Sequence, residues 1–328
     1  MSIFSKTTFL FLNKLTLFSL FILILAGGVV RSTGSGMGCP DWPKCFDRYI
    51  PPTSIDQLPV NYQQIYKDRG YENTTFNVNK TWTEYINRLI GAITGLFIFA
   101  TLVSSFQFLK SKPFIFYLVL ASFLLVGFQA WLGGKVVESN LHALMITAHM
   151  FVALIILGIL LYTYVISVHS NFQIKKYHFS TSISIVLSLC FLFTIIQIAL
   201  GTQVREAVDQ ISKMMNFADR GTWVELAGAP FFIHRSLSIL VLTLNVILFV
   251  KTRAVLMHSS FLTLLLRSNI SLILLQIISG IVLSYLDLPP TFQAIHLFLA
   301  TLLFSVQLSM VFLFFNKMKP ESNFVLQS

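Results

Sequence analysis

The sequence predicts an all-α polytopic membrane protein: eight transmembrane helices, arranged as two tandem four-helix bundles related by a parallel internal repeat. Three observations predict it. Of the 328 residues, 55% are hydrophobic types and only 11% are charged, less than half the roughly 25% of a soluble domain; mean hydropathy is +0.76. Eight apolar runs approach or exceed the about 20 residues that cross a bilayer core about 30 Å thick. Polar residues in the second to fourth runs recur in the sixth to eighth at one constant spacing. This composition excludes a disordered tail, a coiled coil and an ordinary cytosolic enzyme.

The runs are 14–31, 84–109, 113–132, 144–168, 179–200, 231–250, 261–284 and 292–315. The first is read as a retained span, because no signal-peptide cleavage site is evident. The second follows a long polar segment and carries Gly91 and Gly95, a small-xxx-small pair that predicts tight helix packing. The third is short and begins at Pro113, a residue suited to a helix start. The fifth carries Cys190, which reads as packing. The seventh and eighth are separated by a very short connection near 285–291.

An even number of spans puts both termini on one side. Eleven of the 23 Lys and Arg residues fall there, among them Lys6, Lys14, Lys110, Lys112, Lys175, Lys176, Lys317 and Lys319, with a single acid, Glu321. The other side holds twelve basic and twelve acidic residues, mostly in two long loops, 32–83 and 201–230. The net charge of +10 therefore reads as membrane orientation and not as nucleic-acid binding. The positive-inside rule places both termini in the cytoplasm. The N-terminus lacks the Arg- and Ser-rich look of a transit peptide, so the expected location is a bacterial cytoplasmic membrane.

The repeat appears as Asn87 and His234, Arg88 and Arg235, Gln129 and Gln276, Gly133 and Gly280, and His149 and His296, each pair 147 residues apart. Composition alone does not bring polar residues into register. Each half has an even number of spans, so both enter the membrane the same way. The expected halves are 1–172 and 173–328, with the longer outer loop in the first. Spans one and five align less well, with Gly28 set against Gly201.

Ionisable residues inside spans are costly and tend to be functional. Asn87, His149, His234 and His296 all lie within about two turns of the outer ends of their helices. His234 and His296, on the second and fourth helices of one bundle, form a natural haem clamp, since imidazole is a common axial ligand and bundle cores hold such cofactors. Arg88, Lys135, Arg205 and Arg235 are candidate partners for haem carboxylates. In the first half His149 remains but Asn87 stands opposite it, and an amide ligates iron poorly. That half would hold a five-coordinate or weakly ligated iron, which suits chemistry. Glu84 shares a helix face with Asn87; it reads either as a proton-handling carboxylate or as a helix-start acid favouring the local dipole. His142 sits at the outer loop edge, and His169, His178 and His258 lie near cytoplasmic ends as solvated residues. Cys39 and Cys45 lie on the outer side, where disulfides are permitted, and the two prolines between them make a closed loop feasible. No further Cys or His stands near enough to make a zinc site.

Gly27-Gly28-Val29-Val30-Arg31-Ser32-Thr33-Gly34-Ser35-Gly36-Met37-Gly38-Cys39-Pro40-Asp41-Trp42-Pro43-Lys44-Cys45, together with Glu84-Tyr85-Ile86-Asn87-Arg88-Leu89, His149, His234 and His296, resembles the haem A synthase family over almost the whole chain. The resemblance implies an eight-helix membrane enzyme that oxidises a methyl group of haem O to a formyl group, giving haem A for cytochrome oxidase. It implies haem B as cofactor on His234 and His296. It also implies a substrate haem in the N-terminal half near His149 and Asn87, with Glu84 as the catalytic carboxylate and the Cys39–Cys45 pair as a disulfide. The expected course is two hydroxylations and loss of water to the aldehyde. Asn87 departs from the family, which has His there; the departure marks either a variant in which His149 alone ligates the substrate or loss of the reaction. A haem O synthase, cytochrome oxidase assembly factors and the lipid bilayer are the implied partners, with oligomeric state open.

Two other classes fit parts of the pattern. A quinol-linked electron-transfer cytochrome would need the His pair and no haem modification. A transporter would place its polar residues at mid-membrane, whereas here they cluster near the outer edge.

Overall fold

The computed structural model describes residues 4–72, 74–168, 181–216, 218–256 and 260–315. Several expectations lie outside the described residues: Lys175, Lys176, Lys317, Lys319, Glu321, His169, His178, His258, the first residues of the fifth run, and the boundary at 172/173.

The chain is a multi-pass helical membrane protein. Its helices are α1 (Lys6–Ser32), α2 (Tyr62–Ile65), α3 (Val78–Ser105), α4 (Pro113–Glu138), α5 (Ala143–Val168), α6 (Thr181–Met214), α7 (Trp223–Leu226), α8 (Ala229–Leu256), α9 (Ser260–Tyr285) and α10 (Pro290–Phe315). Eight of these are long and apolar enough to cross a membrane; α2 and α7 are single turns. No strand occurs among the described residues, and an isolated bridge joins Cys45 to Arg48. Helix starts follow local chemistry. The Ser5 hydroxyl accepts from the Thr8 amide at 3.1 Å and the Asn77 side-chain Oδ1 from the Lys80 amide at 3.0 Å, each satisfying a free N–H. Pro113 opens α4.

The expected long loop 201–230 is mostly not a loop. From residue 200 the helix α6 continues to Met214. Arg205, Glu206, Asp209 and Lys213 make this stretch look polar. Yet Val208 and Ile211 form an apolar stripe packed on Trp223 and Ala227, which sustains an amphipathic helix. The Gly91–Gly95 pair also differs from expectation. A Cβ on Gly91 would meet Leu23 of α1 at 3.7 Å and one on Gly95 would meet Val126 of α4 at 3.8 Å. The two glycines thus serve two neighbours at ordinary van der Waals distance, not one tight crossing.

In the first four spans α1 packs on α3 and α4 on α5; in the last four α6 packs on α8 and α9 on α10. The two sets meet along α1, α5, α6 and α10, around a core that includes Leu17, Leu20, Ile98, Leu157, Leu160 and Phe304. Polar pairs reinforce the helix contacts, because an unpaired polar group in hydrocarbon costs several kcal/mol. Thr16 bonds Thr101 at 2.9 Å. Asn245 accepts from Asn269 at 2.8 Å and from Gln307 at 3.2 Å, linking α8, α9 and α10. Near the C-terminal ends of α1 and α6, Arg31 of α1 reaches Asp209 of α6 at 3.2 Å, and Arg205 reaches the same carboxylate at 2.8 Å.

Candidate functional site

His234 on α8 and His296 on α10 face each other with ring centres 6.4 Å apart and planes inclined at 69°. A first-row metal bonds imidazole nitrogen at about 2 Å; two such bonds, with about 1.1 Å from each nitrogen to its ring centre, span about 6 Å. The pair therefore fits one iron held between two imidazoles. His296 Nδ1 lies 2.8 Å from the Ser279 hydroxyl, and that hydroxyl lies 3.0 Å from the Gln276 carbonyl oxygen. Gln197 on α6 donates to the His234 carbonyl at 2.8 Å.

A glycine stands beside each of these side chains. A Cβ on Gly201 would lie 3.4 Å from the His234 ring, one on Gly280 3.6 Å from His296, and one on Gly133 3.4 Å from His149. At the fourth position the nearest glycine is Gly27, whose Cβ would lie 3.9 Å from Asn87 Oδ1. Gly28 instead faces Ala294 and Leu297. Gly27 rather than Gly28 thus lies beside Asn87, as Gly201 lies beside His234. Two consecutive glycines leave that register ambiguous in sequence, and only packing resolves it.

His149 sits on α5, its backbone carbonyl accepting from Gln129 at 2.9 Å. Its Nδ1 and the Asn87 Oδ1 are buried with no hydrogen-bond partner. Glu84, about one turn N-terminal of Asn87 on α3, is 4% exposed. It accepts from the Cys39 amide at 3.0 Å and pairs with Arg88 at 2.5 Å. Arg88 also donates to the carbonyls of Asp41 at 2.8 Å and Lys44 at 2.9 Å. Both residues thus grip the loop closed by the Cys39–Cys45 disulfide, whose Cα atoms are 4.8 Å apart. The remaining cationic candidates part ways: Lys135 pairs with Glu138, Arg205 with Asp209 and Gln293, and Arg235 is exposed. His142 is exposed as well.

The disulfide loop reaches over the first set of helices. Trp42 packs on Gly134 of α4, where a Cβ would come within 3.2 Å of the indole. Adjacent glycines on α4 thus admit His149 and Trp42 side by side. Next to them is a cavity of about 320 Å³ lined by Pro40, Asp41, Trp42, Arg69, Trp131 and Lys135 among others. Beneath the loop, Phe46 meets Tyr62, Tyr66, Tyr71 and Phe76 edge-on. Burial pushes the Tyr71 phenol up, which keeps it a donor to the Met37 carbonyl at 2.5 Å. Sequence reasoning missed Ser279, Gln197, Asp209 and Trp42. The spacing Gln-x-x-x-Gly, present at Gln129–Gly133, Gln197–Gly201 and Gln276–Gly280, carried a signal for Gln197.

Fold and site define a class: a polytopic helical membrane protein that presents half-buried imidazoles in the first two turns of its helices. The family follows from comparison with known proteins. The COX15-CtaA family, described as cytochrome oxidase assembly protein, matches residues 11–308, and the chain belongs to it. A heme A synthase of Shouchella clausii is 27% identical over 92% of this chain and 95% of its own. One of Rickettsia prowazekii is 27% identical over 90% and 94%. One of Shewanella oneidensis is 31% identical over 47% and 44%.

Proposed function

We propose that this protein is a haem A synthase, oxidising a methyl group of haem O to a formyl group for cytochrome oxidase assembly. The observation that carries this reading is the asymmetry of its two polar centres inside a family-wide match. One centre pairs His234 with His296, ring centres 6.4 Å apart; in the other half His149 and Asn87 stand 147 residues before His296 and His234. In this reading residues 173–328 form the half that holds haem B, and residues 1–172 receive haem O. Haem B, when bound, supplies one-electron redox chemistry. His234 and His296 would hold it from opposite sides. His149 would hold the substrate iron, with Asn87 leaving the other side weakly bound and Gly133 keeping the ring's space free. Glu84 is the group proposed to exchange protons with the substrate edge. Its two oxygens are anchored by the Cys39 amide and Arg88, so it would act with the disulfide loop closed over the site. Arg235 would serve the haem carboxylates from an exposed position, whereas the contacts of Arg88 favour loop clamping.

The proposed setting is a bacterial cytoplasmic membrane with both termini cytoplasmic and the two centres toward the outer face. Supply of substrate by a haem O synthase and hand-over to cytochrome oxidase assembly factors complete the proposal. Haem content of purified variants tests it. His234→Ala is expected to lose haem B. His149→Ala is expected to keep haem B and to make no haem A. Full haem B retention in a His234→Ala/His296→Ala double variant would contradict the assignment.

A further inference from the structure

We infer that Ser279 is a positioning residue that sets which half of the molecule keeps its haem; this rests on the function proposed above. For His296 to ligate iron through Nε2, that nitrogen must carry the lone pair and Nδ1 the proton. Ser279 is placed to enforce this. Its hydroxyl has the Gln276 carbonyl, 3.0 Å away, as acceptor for its own proton. That leaves its oxygen free to accept from His296 Nδ1–H at 2.8 Å. Ser279 is 3% exposed, so water does not compete for the bond. A ligating imidazole whose outer N–H is so held is fixed in tautomer and orientation and becomes the more basic ligand.

The other half lacks the device. The residue 147 positions earlier is Leu132, and it stands 17 residues before His149, as Ser279 stands 17 before His296. The neighbouring glycines take corresponding places: Gly133 lies against His149 and Gly280 against His296. Leu132 is buried at 4% exposure and its side chain can accept no hydrogen bond; His149 Nδ1, like that of His234, is buried without a partner, so His296 alone of the three is anchored through Nδ1. Two differences between the halves therefore act in one direction. Asn87 removes a ligand, and Leu132 removes the anchor of the ligand that remains. A half so built releases haem readily, as a centre that must discharge its product requires. A half with His234, His296 and Ser279 retains it.

The experiment uses the full-length holoprotein in detergent and reads two quantities: the midpoint potential of the bound haem B and its rate of transfer to excess soluble apoglobin. In Ser279→Ala the imidazole donates less to the iron, so the potential is expected to rise. Haem loss should accelerate about tenfold or more, the usual effect of removing such a partner. Ser279→Thr, which keeps the hydroxyl, should restore both. Leu132→Ser should slow loss of haem O supplied to the first half. An unmoved potential in a Ser279→Ala protein that binds haem would overturn the inference while leaving the proposed function standing, even if that variant melted earlier. A wild-type protein holding no haem on the His234–His296 pair would overturn both.

Discussion

Arg88 spends its guanidinium on Glu84 and on carbonyls of the disulfide loop, and the consequence is structural as much as electrostatic. The side chains of Arg88 and Glu84 are 14% and 5% exposed. Removing one partner of such a buried pair leaves an uncompensated charge, at a cost of about 3 kcal/mol. Arg88→Ala is therefore expected to lower the melting temperature and to expose the Cys39–Cys45 bond to reductant, read by thiol labelling before and after mild reduction. Unchanged melting with an equally protected disulfide would remove Arg88 from this role. At this scale the sequence was only partly legible. Glu84, His149, His234 and His296 stood out because ionisable residues are rare in apolar runs. Ser279 did not, because a serine in a membrane helix usually bonds its own backbone and its second bond depends on a partner 17 residues away.

Helices α8, α9 and α10 are tied at one level by Asn245, Asn269 and Gln307, which are at most 1% exposed. Interhelical hydrogen bonds in membranes are worth about 0.6 kcal/mol each, and Asn245 Oδ1 accepts two. Asn245→Ala is expected to destabilise the protein by about 1–2 kcal/mol, measured by unfolding in mixed detergent, without moving the haem spectrum. The existence of each of the eight helices was legible from hydropathy, because crossing about 30 Å of hydrocarbon leaves few other solutions. Helix ends were not. Charged residues such as Lys6, Arg205 and Asp209 sit on helical turns that an apolar window rejects, and α6 continues because Val208 and Ile211 find cover from Trp223.

Across the whole molecule the same helix pairings occur in the first and last four spans, while the side chains at matching places differ. Asn87 stands where the other half has His234, Leu132 where it has Ser279, and Leu23 four residues before Gly27 where it has Gln197 before Gly201. A protein that must hold one haem and pass another along needs two centres alike in shape and unlike in grip. The constant offset of 147 suggested the likeness from sequence. The proposed difference in grip rests on the Ser279–His296 hydrogen bond, which only packing reveals.

The most direct measurement is chromatographic and mass identification of the haems in membranes that make haem O, with and without this protein. The account predicts haem A only when the protein is present, and none with His149→Ala or Glu84→Ala. Haem O left unconverted beside a protein that carries haem B would contradict it, and would make the chain an electron-transfer cytochrome of the same architecture.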